Sequence, residues 1–274
     1  MVSKSYQEQW GGVTGMKKIL RLLFVALLGL SLTSGISAQA KEKAADKKDE
    51  ITIYLVRHGK TFFNTTGQVQ GFADSPLTDK GLEQAKQVGK GLKNTKFDLA
   101  YSSDLGRQRN TAKLILAQNK NKTPKISEHD GFKEWNYGGF EGKTNAEMWT
   151  PIFEANGLKF DEEWTDYDKL VNKLGDEGVA DAIAESDPLK VAETYEEITT
   201  RGQAAMDKVV ANAKKKKAKN VLIVSSGSMI PTLLEMLVPG EYQGEAIDNC
   251  SVTTLKYHDN KYSVEKINDT QYVE

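Results

Sequence analysis

A single cysteine, three histidines, no surplus of basic charge and no apolar run of membrane-spanning length mark this chain of 274 residues. Cys250 alone cannot form an intramolecular disulfide. It does not follow the apolar N-terminal segment either, so nothing points to a lipid-anchored terminus. His58, His129 and His258 are scattered without ligand-like spacing, which argues against a metal centre. There is no internal repeat.

What the N-terminal region does hold is the outline of an export signal over residues 16–40. Met16-Lys17-Lys18 and Arg21 form a positive start, Leu22 to Leu32 an apolar core, and Ala38-Gln39-Ala40 a small-x-small cleavage site. The core falls short of the ~20 residues that span a bilayer, and the Ala-x-Ala run favours cleavage over a retained anchor. Residues 1–15 carry no signal feature and read as a gene-start extension ahead of Met16. Residues 41–50 are charged and alanine-rich, the composition of a flexible linker. A secreted or surface-associated chain starting at Lys41 would retain 33 basic groups (37 less 4) and 37 acidic ones (38 less 1), a net charge of −4. That balance gives no support to nucleic-acid binding.

From residue 51 to 274 strand-like and helix-like segments alternate. Apolar runs predict strands over Ile51–Val56, Phe97–Ser102 and Val221–Ser225, with a short one at Lys125–Ser127. Helical spacing predicts helices over Thr78–Leu92, Leu105–Gln118, Thr144–Ala155, Glu162–Leu174, Leu189–Ala213 and Met229–Leu237. Ser251–His258 and Lys261–Ile267 alternate in period two around Asp259-Asn260, a hairpin signal. The expected fold is α/β: a three-layer sandwich with a mostly parallel sheet, helices on both faces and an antiparallel C-terminal edge. Residues 143–190, rich in aromatic and acidic groups, interrupt the rhythm as a helical lid insertion.

The first strand runs directly into Arg57-His58-Gly59. Open α/β sheets receive ligands at the carboxyl edge of their strands, so a cation, an imidazole and a glycine there are suited to an anion. A guanidinium matches phosphate geometry, and His58 is a candidate nucleophile or acid–base group. Four further segments follow in order. They are Gln70-Gly71-Phe72-Ala73-Asp74-Ser75-Pro76-Leu77-Thr78, Ser102-Ser103-Asp104-Leu105-Gly106-Arg107, Glu134 through Gly138 to Glu141-Gly142, and Val224-Ser225-Ser226-Gly227.

This ordered set resembles the histidine phosphatase superfamily, the phosphoglycerate mutase-like proteins, over residues 51–268, and its phosphatase branch more than the glycolytic mutases. The resemblance implies a metal-independent phosphomonoesterase without a cofactor, acting on a small phosphorylated molecule. His58 would carry the phosphoryl group, Arg57 and Arg107 would clamp its oxygens, and Glu134 would protonate the leaving alkoxide and then activate water. Asn64, Gln70, Gly71 and Gly227 would complete the phosphate site. Ser226 stands where the family pattern has a second histidine. A hydroxyl there brings no positive charge, and losing one such donor typically costs ~10²–10³ in rate. Two alternatives therefore stay open: a protein that binds a phosphorylated ligand without turning it over, and a mutase-type phosphotransferase. His129, His258 and the aromatic residues Trp135, Trp149, Phe153 and Trp164 are expected to serve packing or local structure.

Overall fold

The computed structural model describes residues 49–273; the expected gene-start extension, the export signal and residues 41–48 of the linker lie outside them. Six strands form one sheet: β1 (Ile51–Arg57), β2 (Leu99–Ser102), β3 (Ile126–Glu128), β4 (Asn220–Ser225), β5 (Val252–His258) and β6 (Lys261–Asp269). Their order is β3-β2-β4-β1-β5-β6. The first four are parallel, β5 runs antiparallel to β1, and β6 closes the edge antiparallel to β5. The hairpin turn holds Asp259 and Asn260 at φ 50° and 60°, the paired left-handed positions that suit an Asp-Asn dipeptide.

Among the described residues seven α-helices accompany the sheet: α1 (Phe62–Thr66), α2 (Asp79–Gly91), α3 (Gly106–Ala117), α4 (Asn145–Ala155), α5 (Tyr167–Ser186), α6 (Tyr195–Lys216) and α7 (Met229–Leu237). Strand alternation sorts the layers. Val56, Leu222 and Val224 face α2 and α3 through Ala85, Val88, Ala112 and Ile115. Ile53, Leu55, Val221 and Ile223 face the other way, onto Ala205, Met206, Val209 and Leu233 of α6 and α7. Each fully buried aliphatic of this kind contributes about 1.5–3 kcal/mol, which is why β1 and β4 read as continuous apolar runs. The expected α/β sandwich is thus the observed one.

The register of the two central strands prepares the site. Arg57 pairs with Ser225 across the sheet, and the His58 amide still donates to the Ser225 carbonyl at 3.0 Å. The chain therefore leaves β1 and β4 side by side, with His58 and Ser226 just past the same edge.

Within 143–190 the first helix falls where expected, Asn145–Ala155 with Thr144 as its cap, and the later ones differ from their expected bounds. The predicted helix at 162 starts at Tyr167 instead, because Trp164 takes a left-handed φ of 59°. It continues past residue 174 to Ser186, across a break at Gly175 with φ 67° and ψ 171°. The helix expected from Leu189 begins only at Tyr195. The Asp187 carboxylate gathers the amides of Gly139, Leu189, Val191 and Ala192 at 2.7–3.0 Å, which folds the intervening segment into a loop. The short α1 was not expected; Thr61 and Asn64 close a capping box on it.

Candidate active site

The segments leaving β1, β3 and β4 border a cavity of about 570 Å³, lined at one part by Arg57, His58, Lys60, Asn64, Gln70, Glu134, Gly227 and Asn249. His58 is only 3 % exposed. Its Nδ1 lies 2.9 Å from the Gly59 carbonyl oxygen. That oxygen can only accept, so Nδ1 carries the proton and Nε2 keeps its lone pair. Burial, then Arg107 and Arg57, hold the imidazole well below its ordinary pKa, against the pull of the Gly59 carbonyl. The ring is thus a neutral nucleophile oriented through its other nitrogen. Thr111 fixes the backbone from behind by accepting the Gly59 amide at 3.0 Å, and Asn249 donates to the His58 carbonyl at 3.0 Å.

Glu134 is 6 % exposed. Oε1 accepts the amides of Trp135 and Met229 at 3.0 and 2.9 Å, and Oε2 that of Ser228 at 2.9 Å. Ser228 and Met229 open α7, so the carboxyl sits at a helix N-terminus, which favours its charged form. Burial opposes this and raises its pKa on balance, while those amides and the two arginines pull it down. A pKa raised in this way suits a group that must hold a proton and then release it. Arg201 braces the segment, donating to the carbonyls of Lys133 and Glu134 at 3.1 and 2.8 Å and pairing with Glu193 at 2.7 Å.

Arg107 is 1 % exposed and sits behind the cavity lining. Its terminal nitrogens reach the carbonyls of Gln70, Gly71 and Ala73 at 2.7–3.2 Å and the Asp74 carboxylate at 3.1 Å. Asp74 in return accepts the Gly106 amide at 2.6 Å and caps α3, whose own cap residue Leu105 offers no acceptor. Glu141 gathers the amides of Gly71, Phe72, Ala73 and Tyr137 at 2.7–3.0 Å. The loop 70–74 is therefore held from both sides, by a cation on its carbonyls and a carboxylate on its amides.

The site residues named from the sequence fall into two groups. Arg57, His58, Asn64, Gln70, Glu134 and Gly227 line the cavity together; Gly71, Arg107 and Ser226 do not. Gly71 serves packing, since a Cβ there would stand 2.1 Å from the Trp135 carbonyl oxygen. Ser226 is fully buried, and its hydroxyl accepts from Gln108 Nε2 at 2.5 Å. Asn64 Oδ1 accepts the Thr61 amide at 3.2 Å and faces Asn249 Nδ2 at 3.4 Å. His129 accepts the Gly131 amide at 3.1 Å and caps a turn. Asn249, Asp74, Arg201 and the gathering role of Glu141 were not anticipated. Glu141 and Asp74 lie within recognised motifs, but nothing in the sequence shows that they act on backbone amides.

Three buried donors in this region have no hydrogen-bond partner in the protein: Arg57 Nε, Arg107 Nε and Gln70 Nε2. Unmet buried donors are rare, and three together call for an oxygen-rich acceptor. Among the described residues no group of three or more His, Cys, Asp or Glu side chains is placed to hold a metal ion, and no helix is long and apolar enough to cross a membrane.

The family model of the histidine phosphatase superfamily (branch 1) matches residues 53–270. A solved phosphoglycerate mutase from Bacillus anthracis is 38 % identical, with a TM-score of 0.75 over 84 % of this chain and 97 % of that one. A broad-specificity phosphatase of Saccharomyces cerevisiae is 27 % identical over 83 % of this chain and 90 % of the relative. A metal-independent phosphoserine phosphatase of Arabidopsis thaliana is 27 % identical over 82 % of this chain and 85 % of the relative.

Proposed function

Because this chain belongs to the histidine phosphatase superfamily, we propose that it is a phosphomonoesterase that works through a phosphohistidine on His58. One observation carries the reading: a neutral, buried imidazole with Nε2 unprotonated lines one cavity with Arg57 and Gln70, each of which holds a buried donor without an acceptor in the protein. Nε2 attacks phosphorus while the ester P–O bond breaks, and the departing alkoxide takes the proton of Glu134. Glu134, now a carboxylate, accepts a proton from water as that water attacks phosphorus. The P–N bond then breaks, and inorganic phosphate leaves. Arg57 and Gln70 hold the phosphoryl oxygens through both steps, while Arg107 fixes the loop 70–74 that carries Gln70. In this reading the arginines supply the positive charge and no metal takes part, as the name of the Arabidopsis relative also suggests.

The test is a phosphorus adduct on His58 after brief exposure to phosphate esters, found by mass spectrometry under alkaline quench. Hydrolysis with no adduct on His58 would overturn the mechanism.

Ser226 supports a second reading, in which the chain binds a phosphorylated ligand without turnover. Its hydroxyl is held by Gln108 and adds no charge. Under the first reading Ser226→His raises turnover by up to ~10²-fold, provided the imidazole displaces the Gln108 amide. Inert parent and variant proteins that still bind phosphate esters would establish the second.

We also propose that the chain is exported, with its mature form starting at Lys41. N-terminal sequencing of protein recovered from the culture medium tests this, and a retained Leu22–Leu32 segment would refute it.

A further inference from the structure

Beyond the phosphate end, the cavity continues along the helical insertion. Met148 and Trp149 of α4, Trp164, and Tyr167 and Val171 of α5 line it. Its volume of about 570 Å³ falls in the range of sites that bury drug-sized ligands, ~300–1,000 Å³, and exceeds what a phosphoryl group with a few carbons occupies. The charges on the lining are unevenly shared. Arg57 and Lys60 are its cations, and the reactive phosphoryl group uses Arg57. The aromatic stretch instead carries Asp168 and Asp176. Burial and then the nearby Glu235 push the Asp176 carboxyl above its ordinary pKa. Along this stretch a second anionic group would meet these carboxylates and neither lining cation, since Arg57 and Lys60 both belong to the part beside His58.

We propose that the alcohol half of the substrate is a flat apolar group without a second negative charge, received by Trp149, Trp164, Tyr167 and Val171. Aryl-alkyl phosphates are then preferred to phosphorylated acids. The idea rests on the cavity taking a phosphate ester, as argued above, and it adds which ester. Stacking against indole rings and removal of apolar surface from water supply the preference. Asp168 and Asp176 supply the discrimination, because a like charge costs more than a missing contact.

Binding can be read apart from chemistry in His58→Ala, by titration calorimetry with 2-phenylethyl phosphate, glycerol 3-phosphate and 3-phosphoglycerate. These are all phosphates of primary alcohols, so their leaving groups are closely matched. The phenylethyl ester is expected to bind about 10- to 100-fold more tightly than glycerol 3-phosphate, and 3-phosphoglycerate more weakly than either. Trp164→Ala should shrink the first ratio, and Asp176→Asn should raise 3-phosphoglycerate affinity while leaving the phenylethyl ester nearly unchanged. Equal or tighter binding of 3-phosphoglycerate overturns the proposal, as does a preference that ignores both substitutions. The same ratio with no turnover of any ester by the unaltered protein would sink the phosphatase reading and leave the ligand class standing. Turnover with the ratio reversed would do the opposite, and no binding at all would end both.

Discussion

At the sheet edge, His58, Glu134 and Arg107 are each tied to backbone groups, whereas in the helical insertion the large side chains touch mainly one another. Trp149 meets Phe153, Trp164 and Tyr167 edge-on at 5.4–6.2 Å, and Phe160 and Trp164 do so at 5.1 Å. Backbone ties fix a group to within tenths of an ångström because hydrogen bonds are directional. Ring packing is nearly non-directional and tolerates exchange of one apolar shape for another. The first construction suits chemistry at a single phosphorus atom, and the second suits recognition of a variable organic group.

The sharpest way to break this contrast is at the nucleophile. His58→Ala should lower turnover of any phosphate ester by about 10⁵–10⁶-fold, measured by phosphate release, with its thermal unfolding little changed. Comparable activity in the variant would remove the sheet edge from the chemistry. Glu134→Gln should cost about 10²–10⁴-fold for alkyl esters and much less for nitrophenyl esters, whose leaving groups need little protonation. A loss of equal size for both would assign Glu134 to binding alone. In the insertion the damage should fall on stability. Trp149→Ala removes a buried indole from three ring contacts and is expected to cost about 3–5 kcal/mol in denaturant unfolding, with kcat for a small ester nearly preserved. Gly175→Ala should cost about 1–3 kcal/mol, since φ 67° with ψ 171° is a backbone region that is essentially glycine's alone.

The smallest effect sharpens the comparison through pH. Because burial and two arginines lower the His58 pKa from 6.5, the unfolded chain binds more protons than the folded one between 6.5 and the folded value. Stability from this group is complete above about pH 6.5 and is lost as pH falls towards the folded pKa, by up to ~1.4 kcal/mol per pH unit. The difference in unfolding free energy between the parent and His58→Asn, followed from pH 7.5 to 5, isolates it. A flat difference would mean that the imidazole is not held neutral. Activity should correspondingly persist below pH 6.

The same contrast explains what the sequence made legible. The apolar runs of β1 and β4, the hairpin and most helices of the two outer layers follow from periodicity, because their burial is set by one sheet. Arg57-His58-Gly59 declared a site because a polar cluster ended a buried strand. Arg107 and Gly71 were legible as members of a pattern, yet their places were not. Both act on the loop 70–74 through backbone carbonyls and close packing, which side-chain identity does not reveal. Asn249 carried no signal at all, as an amide in a polar loop is ordinary until the fold sets it against the His58 carbonyl. Helix bounds from residue 162 to 190 failed for a related reason. Asp187 redirects its segment by collecting distant amides, and Trp164 accepts a left-handed backbone that its residue type does not suggest.

The chain also carries its own optical probe. Three of its four tryptophans, Trp135, Trp149 and Trp164, border the cavity, and the fourth, Trp10, lies outside the described residues. Ultraviolet emission from the folded domain is therefore a local reading of the place where ligand arrives. With the indoles of Trp149 and Trp164 only 5.4 Å apart, occupation of that wall should register in fluorescence and near-ultraviolet circular dichroism, with no label attached to the protein.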